Sequence, residues 1–335
     1  MTFKDRFARQ ERLTQVGVDG QAVLSEATFA IVGLGALGNT MANWLVRAGA
    51  KKIILIDRDV VEWSNLQRQS LFNEEDAKNK TPKSIAAANH LKQFNSKVLL
   101  SINCCTLDNS NINDLLEGTD VILDGSDNFY TRYLLNDYAV KNAVPFIYCG
   151  ATATYGMCGP ILPQGPCLRC LYPEPPAPGT TPTCATAGIF GPTIGTIASI
   201  ATSMAIQALL NPKQDYTFFH CDLWPLRNVT LQGKVNENCP CCQNKDFEFL
   251  NAKQEDLPEV NCDQNMVRIK LLSTPNISQF SKSLEGVAED IESSDFFLKF
   301  KYKQCEFFMF PDGTTQIYGT GDVELANQLT QELTA

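Results

Sequence analysis

The stretch that decides the fold is Ala27–Asp57, ATFAIVGLGALGNTMANWLVRAGAKKIILID. The apolar run Ala27–Val32 predicts a strand, and Lys52–Ile56 predicts a second strand. Between them, Ala36–Ala48 has the length and composition of a helix, and Gly49 marks its end. Strand, helix and strand in this order form a βαβ unit with a right-handed crossover. We therefore expect an α/β fold built on a mostly parallel sheet with helices on both faces.

Elements of the same two kinds continue along the chain. Helices are predicted at 82–94, 130–142 and 194–210, and strands at 97–102, 121–123, 145–148, 218–221 and 228–231. An amphipathic helix at 4–17 is predicted to open the chain and to stop at Gly17. Proline and threonine are frequent at 174–186, which predicts a flexible surface loop.

A polar stretch at 244–264 separates this pattern from a second one. The second pattern predicts strands at 266–272, 296–301, 306–310 and 315–318, and helices at 277–288 and 323–333. Asp312-Gly313 between two apolar runs is a hairpin signal. The expected organisation is a large domain at 1–250, a linker at 251–264 and a small α+β domain at 265–335.

Composition limits the function classes. The 335 residues are 44% hydrophobic and 19% charged, as in a globular protein. A net charge of −9 argues against a nucleic-acid partner. The chain shows neither a signal peptide nor a membrane span, so we expect a cytoplasmic protein. Its 13 cysteines are then expected to be reduced thiols or metal ligands.

The first chemical motif is the glycine turn Gly33-Leu34-Gly35-Ala36-Leu37-Gly38, between the first strand and its helix. Glycines let the backbone approach a ligand, and the N-terminus of a helix favours anionic groups. Asp57 ends the next strand, where a carboxylate can accept hydrogen bonds from ribose hydroxyls. The motif predicts a nucleotide site, and taken alone it is typical of a dehydrogenase.

Cations that a dehydrogenase does not need follow Asp57 and Asp59. They are Arg68, in the run SNLQRQ at 64–69, and Lys83, in Thr81-Pro82-Lys83. The run also supplies the amide of Asn65. A transition state at a triphosphate concentrates negative charge and requires fixed donors of this kind. For either cation alone a solvated surface charge is the better interpretation, and the occurrence of both together favours a phosphate site.

Two carboxylates and an amide follow another apolar strand, in Asp124-Gly125-Ser126-Asp127-Asn128. Asp127 is placed to hold Mg²⁺, which takes one or two carboxylates together with phosphate oxygens. Asp124 is expected to support the site without reacting. The alternative for Asp127 is that it caps the following helix, and Asn128 could cap that helix equally well.

Two C-x-x-C pairs, Cys167/Cys170 and Cys239/Cys242, are typical of a structural Zn²⁺ site with four thiolates. Cys241 is a competing ligand, although the two-residue spacer favours Cys239 with Cys242. A redox dithiol is the rival interpretation.

In combination, these motifs resemble the MoeB/ThiF family, the bacterial relatives of ubiquitin-activating enzymes. The resemblance runs from Arg6 to about Gln243. It rests on these motifs: Arg9-Gln10, GLGALG, Asp57 with Asp59, SNLQRQ, Pro82-Lys83, Ser126-Asp127-Asn128, both cysteine pairs, and Thr183-Cys184 before Ala187-Gly188.

The resemblance implies a Rossmann-like domain that binds ATP and Mg²⁺ and works as a homodimer. Its substrate would be a ubiquitin-like sulfur-carrier protein, whose C-terminal Gly-Gly carboxylate attacks the α-phosphate to give an acyl-adenylate. By the family pattern Asp57 holds ribose, Asp127 binds magnesium, and Arg9 reaches in from the other subunit. Phosphate charge would be stabilised by Asn65, Arg68 and Lys83. The full set expected at the nucleotide is Gly33, Gly35, Ala36, Gly38, Asp57, Asp59, Ser64, Asn65, Gln67, Arg68, Lys83, Asp127 and Asn128.

Cys184 matches the position of a cysteine that can link covalently to the carrier in the thiazole branch of the family. The molybdopterin branch commonly has this cysteine as well. We expect the molybdopterin-type carrier, with the thiazole-type carrier as the alternative. Some members end in a persulfide-carrying domain, but Cys305 lies in a strand pattern, so sulfur transfer by the C-terminal module is not expected.

Two other classes remain open. A nicotinamide oxidoreductase needs an acid or base on the hydride side, and neither His90 nor His220 has suitable neighbours in sequence. A silent scaffold that binds a ubiquitin-like partner should have lost Arg68, Lys83 or Asp127, and all three are present.

Overall fold

The computed structural model describes residues 6–176, 184–211, 217–252, 259–261, 265–271 and 276–334. The chain forms two compact units. One comprises the residues up to Ile102 together with Leu107–Ala252, and the other comprises Asn103–Thr106 with Lys253–Ala335.

The larger unit is built on an eight-stranded sheet. Its strands are β1 (Thr28–Val32), β2 (Lys52–Ile56), β3 (Leu99–Asn103), β4 (Val121–Asp124), β5 (Phe146–Thr152), β6 (Tyr155–Ile161), β7 (Thr217–Leu223) and β8 (Leu226–Gln232). They lie in the order β3-β2-β1-β4-β5-β6-β7-β8. Strand β1 is parallel to β2 and β4, and β4 is parallel to β5, whereas β5 through β8 pair antiparallel.

Helices flank this sheet. They are α1 (Gly17–Leu24), α2 (Ala36–Ala48), α3 (Glu74–Asn79), α4 (Lys83–Phe94), α5 (Ile112–Leu116), α6 (Phe129–Asn142), α7 (Leu168–Leu171), α8 (Cys184–Ala187), α9 (Gly191–Leu210) and α10 (Glu248–Asn251). A single 3₁₀ turn lies at Trp63–Asn65. The mostly parallel α/β architecture is as predicted.

The βαβ unit follows directly from its sequence. In β1 and β2 the last four residues of each strand are buried, because parallel strands are covered on both faces. Helix α2 ends at Gly49, whose φ of 98° is left-handed and whose N–H returns to Leu45 and Val46. The carboxyl ends of β1, β2 and β4 therefore meet at one edge of the sheet.

Helix α9 supplies much of the core of this unit. Within the described residues it is the one helix long and apolar enough to cross a membrane by length and composition alone. It packs against α2, β5 and β6, and Ile197 and Ala201 are fully buried. Packing in the protein interior accounts for its apolar composition.

The smaller unit is a six-stranded sheet with two helices. Its strands are β9 (Glu259–Asn261), β10 (Met266–Lys270), β11 (Glu289–Ser293), β12 (Leu298–Tyr302), β13 (Cys305–Met309) and β14 (Thr314–Tyr318), in the order β11-β12-β13-β14-β10-β9. Helices α11 (Ile277–Ser283) and α12 (Val323–Thr334) complete it. The hairpin predicted at Asp312-Gly313 joins β13 to β14, and Gly313 has a φ of 84°.

The predicted opening helix is wrong. Residues 6–16 form turns, and α1 begins at Gly17, where the prediction ended a helix. Tertiary contacts hold these turns: Gln10 Nε2 donates to Gln21 Oε1 and to the Ala48 carbonyl. The helical spacing of apolar residues in this segment was therefore misleading.

Four other segments differ from expectation. The helix predicted at 277–288 ends at Ser283, because Gly286 takes a φ of 79° and the chain then enters β11. Strand β6 was not predicted, α10 overlaps the start of the expected linker at Asn251, and β9 lies within that linker. In the predicted loop, residues 177–183 lie outside the described residues, and 184–187 are helical.

Candidate functional site

The glycine turn is packed against the loop that follows β4. Gly33 has a φ of 86°, a backbone conformation that residues other than glycine rarely adopt. A Cβ at Gly38 would lie 1.8 Å from the Gly33 carbonyl oxygen, and a Cβ at Gly125 would lie 2.2 Å from the same atom. These two glycines are therefore required by backbone contact within the protein.

Gly35 differs from its neighbours. Its φ is −66°, and a Cβ there would meet only the Gly125 carbonyl oxygen, at 3.8 Å. It is the N-cap of α2 and Ala36 is the first helical residue. The N–H groups of this first turn have no partner within the helix, as an anion-binding turn requires.

Asp57 is bound to the glycine turn. Its Oδ2 accepts from Leu34 N–H at 2.6 Å and its Oδ1 from Asp59 N–H at 2.7 Å. Burial raises the pKa of Asp57, while Lys83 and the two backbone donors act in the opposite direction. Each carboxylate oxygen keeps a lone pair for a further donor such as a ribose hydroxyl.

Lys83 is the first residue of α4, where the helix dipole disfavours a cation. Its Nζ lies 3.1 Å from Asp59 Oδ2, and its N–H donates to the Asp59 carbonyl at 2.8 Å. Burial alone would lower the pKa of Lys83, but Asp59, Asp57 and Asp127 raise it well above its ordinary value. The structure thus holds a charged, buried lysine beside Asp57.

The SNLQRQ segment lies beside the first turns of α2. Its C-terminal neighbour Ser70 donates to Asn39 Oδ1 at 3.4 Å, and Asn39 N–H bonds to the Gly35 carbonyl. Asn65 is buried, whereas Ser64 and Gln67 are exposed. Arg68 Nη1 donates to the Ser64 carbonyl at 2.8 Å. Among the described residues no contact joins Arg68 to Lys83 or Asp127.

In the loop after β4, one residue caps the following helix and its neighbour remains exposed. Asn128 is the N-cap of α6, and its Oδ1 accepts from Thr131 N–H at 2.8 Å. Asp127 is exposed and is therefore not used as the cap. Its charge is one of those that raise the pKa of Lys83.

Arg132 is a residue that the sequence analysis missed. It is 8% exposed, and its Nε donates to Oδ2 of the fully buried Asp124 at 3.0 Å. Its signal in the sequence is an arginine on the first turn of a helix, four residues after the predicted cap, Asn128. That signal is too common to single out Arg132 without the structure.

Arg9 lies far from the glycine turn of its own chain. It is exposed, and its neighbour Gln10 is bonded to Ala48 at the C-terminal end of α2. The glycine turn is at the other end of this 13-residue helix, about 20 Å away. Arg9 is thus next to a residue that is held at the end of α2 opposite the glycine turn.

The remaining candidates are less informative. Cys184 begins α8, and its side chain lies outside what is described. Cys305 is 5% exposed and burial raises its pKa, which disfavours a thiolate nucleophile. His90 is bonded to Asp76 at 2.7 Å, and His220 stacks on Tyr155.

Four cysteine sulfurs converge at the predicted zinc site. The Sγ atoms of Cys167, Cys170, Cys239 and Cys242 all lie within 4.8 Å of one another. Cys167 is 3.4 Å from Cys239, and Cys170 is 3.4 Å from Cys242. Four ligands about 2.3 Å from one zinc ion are about 3.8 Å apart in a tetrahedron. The donor set therefore fits Zn²⁺.

Cys241 is not one of the four converging residues, although its thiol lies beside that of Cys167. Its Sγ accepts from Asn136 Nδ2 at 3.3 Å, and Asn136 Oδ1 accepts from Leu168 N–H at 2.7 Å. Backbone N–H of Asn236 donates to Cys170 Sγ at 3.4 Å, as expected beside a thiolate. The geometry thus favours Cys239 with Cys242, and Asn136 of α6 ties both cysteine pairs together.

A glycine turn at the start of α2, with an acidic residue at the end of β2, defines a nucleotide-binding α/β protein of Rossmann type. Comparison with known proteins narrows this class, because the model of the ThiF family matches residues 7–241. The chain belongs to the ThiF family.

Three curated relatives show how the match extends. The Bacillus subtilis protein named sulfur carrier protein ThiS adenylyltransferase is 33% identical over 329 residues, covering 97% of each chain. The SAMP-activating enzyme E1 of Haloferax volcanii is 36% identical and covers 71% of this chain and 88% of its own. The adenylyltransferase and sulfurtransferase MOCS3 of Xenopus laevis is 34% identical and covers 71% of this chain and 53% of its own.

Solved structures share the fold. Escherichia coli MccB crystallised with ATP superposes with a TM-score of 0.61 at 21% identity, covering 71% of this chain and 74% of that one. At this identity the likeness concerns the fold alone.

Proposed function

We propose that this chain uses ATP to adenylate the C-terminal carboxylate of a ubiquitin-like sulfur-carrier protein. The observation that carries the proposal is the meeting of the glycine turn, Asp57 and the buried cation Lys83 at one sheet edge. Relatives that match this chain are named as adenylyltransferases of sulfur carriers.

The reaction places specific demands on the chain. A carboxylate oxygen of the carrier attacks the α-phosphorus, the bond to the β,γ-diphosphate breaks, and acyl-adenylate and pyrophosphate leave. A terminal carboxylate is already ionised near neutral pH, so no general base is needed. This fits a site whose charged groups are Lys83 and carboxylates, with both histidines engaged elsewhere. A hydride-transfer enzyme would have used a general acid or base such as a histidine.

Each of the site residues would either bind the nucleotide or compensate its charge. Asp57 accepts ribose hydroxyls beside the glycine turn, while Lys83 and Arg68 neutralise charge on the phosphates. Asp127, exposed next to Lys83, would hold Mg²⁺, which shields phosphate oxygens when it is bound. The donor set fits, because the carboxylate of Asp127 is exposed and its charge helps to raise the pKa of Lys83.

The identity of the carrier is the finer part of the proposal. The MOCS3 relative of Xenopus laevis covers 71% of this chain, whereas the relative that covers 97% of it is named for ThiS. These matches favour neither the molybdopterin-type carrier, which the sequence analysis preferred, nor the thiazole-type carrier. We propose that one of the two is the substrate.

The complete site requires a second copy of the chain. Because the neighbour of Arg9, Gln10, is bonded at the end of α2 opposite the glycine turn, we propose that Arg9 acts in the site of the partner in a homodimer. Cys184 is proposed as the group that takes over the activated carrier in a later step. The four converging cysteines are proposed to hold one structural Zn²⁺ per chain.

The test is exchange of labelled pyrophosphate into ATP with each carrier in turn. We expect exchange that depends on one carrier and that is lost when its terminal glycine is removed. Exchange that persists with the shortened carrier would contradict the mechanism. Cys184→Ser should leave exchange unchanged, because that step comes after adenylation.

A further inference from the structure

Arg132 is a buried charge to which the proposed mechanism gives no role. Its guanidinium lies over the rings of Phe129 and Tyr148, at 5.2 Å and 5.5 Å. Its hydrogen bonds go to Asp124 and to the Ser126 carbonyl, at 3.0 Å and 2.9 Å. Arg132 therefore faces the protein, and it is not placed to touch a nucleotide.

Hydrogen bonds with Arg132 and Asp124 hold Ser126 at both its backbone and its side chain. Asp124 Oδ1 accepts from Ser126 N–H at 2.9 Å and from its hydroxyl at 2.6 Å. The Ser126 carbonyl is bound by Arg132 Nη2. Every polar group of Ser126 is thus engaged, and this residue immediately precedes Asp127.

The loop is also fixed on both sides of Ser126. Asn128 is held as the cap of α6, and Gly125 lies against the carbonyl of Gly33. Asp127 stands between two anchored residues with its own side chain exposed. Its direction is consequently set by the backbone that Arg132 and Asp124 hold.

We propose that Arg132 is a positioning residue for the nucleotide site. It aims Asp127 and, through Gly125, seats the glycine turn. This inference rests on the proposed function, in which Asp127 meets the metal–ATP complex. It differs from the alternative that Arg132 only balances the charge of Asp124 and so contributes stability alone.

Two variants separate these alternatives. Arg132→Lys keeps the charge but cannot bond to Asp124 and to Ser126 in the same geometry. The double variant Asp124→Leu/Arg132→Met removes both charges, and such apolar replacements of buried pairs usually fold. Arg169→Lys is the matched control, because Arg169 is also a buried arginine paired with a carboxylate, that of Glu248.

The measurements include one that needs neither metal nor activity. Deuterium uptake at 124–128 is followed in the protein without metal or nucleotide, together with its thermal midpoint. Binding of Mn²⁺–ATP is then measured by titration. Pyrophosphate exchange as a function of Mg²⁺ concentration completes the set.

We expect both Arg132 variants to take up deuterium faster at 124–128 and to bind Mn²⁺–ATP about tenfold to a hundredfold more weakly. Arg169→Lys should change the thermal midpoint alone. A folded double variant with wild-type uptake and wild-type affinity would overturn the proposal. If the wild type itself shows no carrier-dependent exchange, the proposed function fails, whereas uptake and Mn²⁺–ATP affinity still decide the role of Arg132.

Discussion

At the scale of single residues, Lys83 occupies a position in a helix where a cation is unfavourable. A cation on the first turn of α4 opposes the helix dipole, and burial removes its water. Asp59 and Asp57 compensate for both costs, as the raised pKa of Lys83 shows. Such a conflict between local preference and structure is typical of a functional position.

Lys83→Met should lower carrier-dependent pyrophosphate exchange by about 10²-fold or more, because a fixed cation at the phosphates is lost. The control is Lys92→Met near the other end of α4, whose side chain is exposed. That variant should exchange at the wild-type rate. A Lys83→Met enzyme within threefold of the wild-type rate would show that Lys83 is structural.

At the scale of elements, the turn between β1 and α2 uses its glycines for two different purposes. Gly33, Gly38 and Gly125 are in mutual backbone contact, so their missing side chains serve the fold. Gly35 has space at its Cβ position, so the fold does not require a glycine there, and under the proposed function the missing side chain leaves room for the nucleotide.

Gly38→Ala and Gly35→Ala should therefore behave in opposite ways. Alanine normally favours a helix by about 1 kcal/mol over glycine, yet at Gly38 its Cβ would meet the Gly33 carbonyl at 1.8 Å. We expect Gly38→Ala to lower the free energy of unfolding by about 3 kcal/mol or more.

Gly35→Ala should keep the wild-type stability within about 1 kcal/mol and should bind ATP about tenfold more weakly. Thermal unfolding and titration calorimetry give both quantities. Wild-type ATP affinity in Gly35→Ala would mean that the ligand does not approach this residue.

Helix α6 connects two sites of the larger unit. Arg132 holds the loop that carries Asp127, and one turn later Asn136 bonds to the backbone between Cys167 and Cys170. Asp137 Oδ2 then accepts from the N–H groups of Phe249 and Leu250 in α10. The helix thus fixes the nucleotide loop relative to the four-cysteine site.

At the scale of the whole molecule, we propose that Arg9 of a second copy of the chain completes the site. Arg9 belongs to the turns that are bonded to the C-terminal end of α2 through Gln10. A cation offered from a partner subunit would add a delocalised guanidinium at the α-phosphate, where charge concentrates during attack.

Mixing inactive Arg9→Ala with inactive Asp127→Ala should restore part of the activity. In a mixed dimer one of the two sites contains both residues intact. Light scattering gives the oligomeric state, and differently tagged subunits show whether chains exchange. Activity that stays at zero despite demonstrated exchange would contradict action across the interface.

The sequence by itself determined the βαβ unit, the glycine turn with Asp57, and the two cysteine pairs. Strand burial, helix capping and the stereochemistry of glycine act over a few residues, so neighbours in sequence suffice to predict them. The tertiary structure alone decided what depends on distant segments. It turned the opening segment into turns bonded to Ala48, and it directed Cys241 to Asn136.

The tertiary structure also paired Arg132 with Asp124, and it left Asp127 exposed while Asn128 became the N-cap of α6. The stability of a buried charge or a sulfur–amide contact depends on which elements become neighbours after folding. Local periodicity contains no information about that choice, because each of these partners is held in place by backbone that only the complete fold positions.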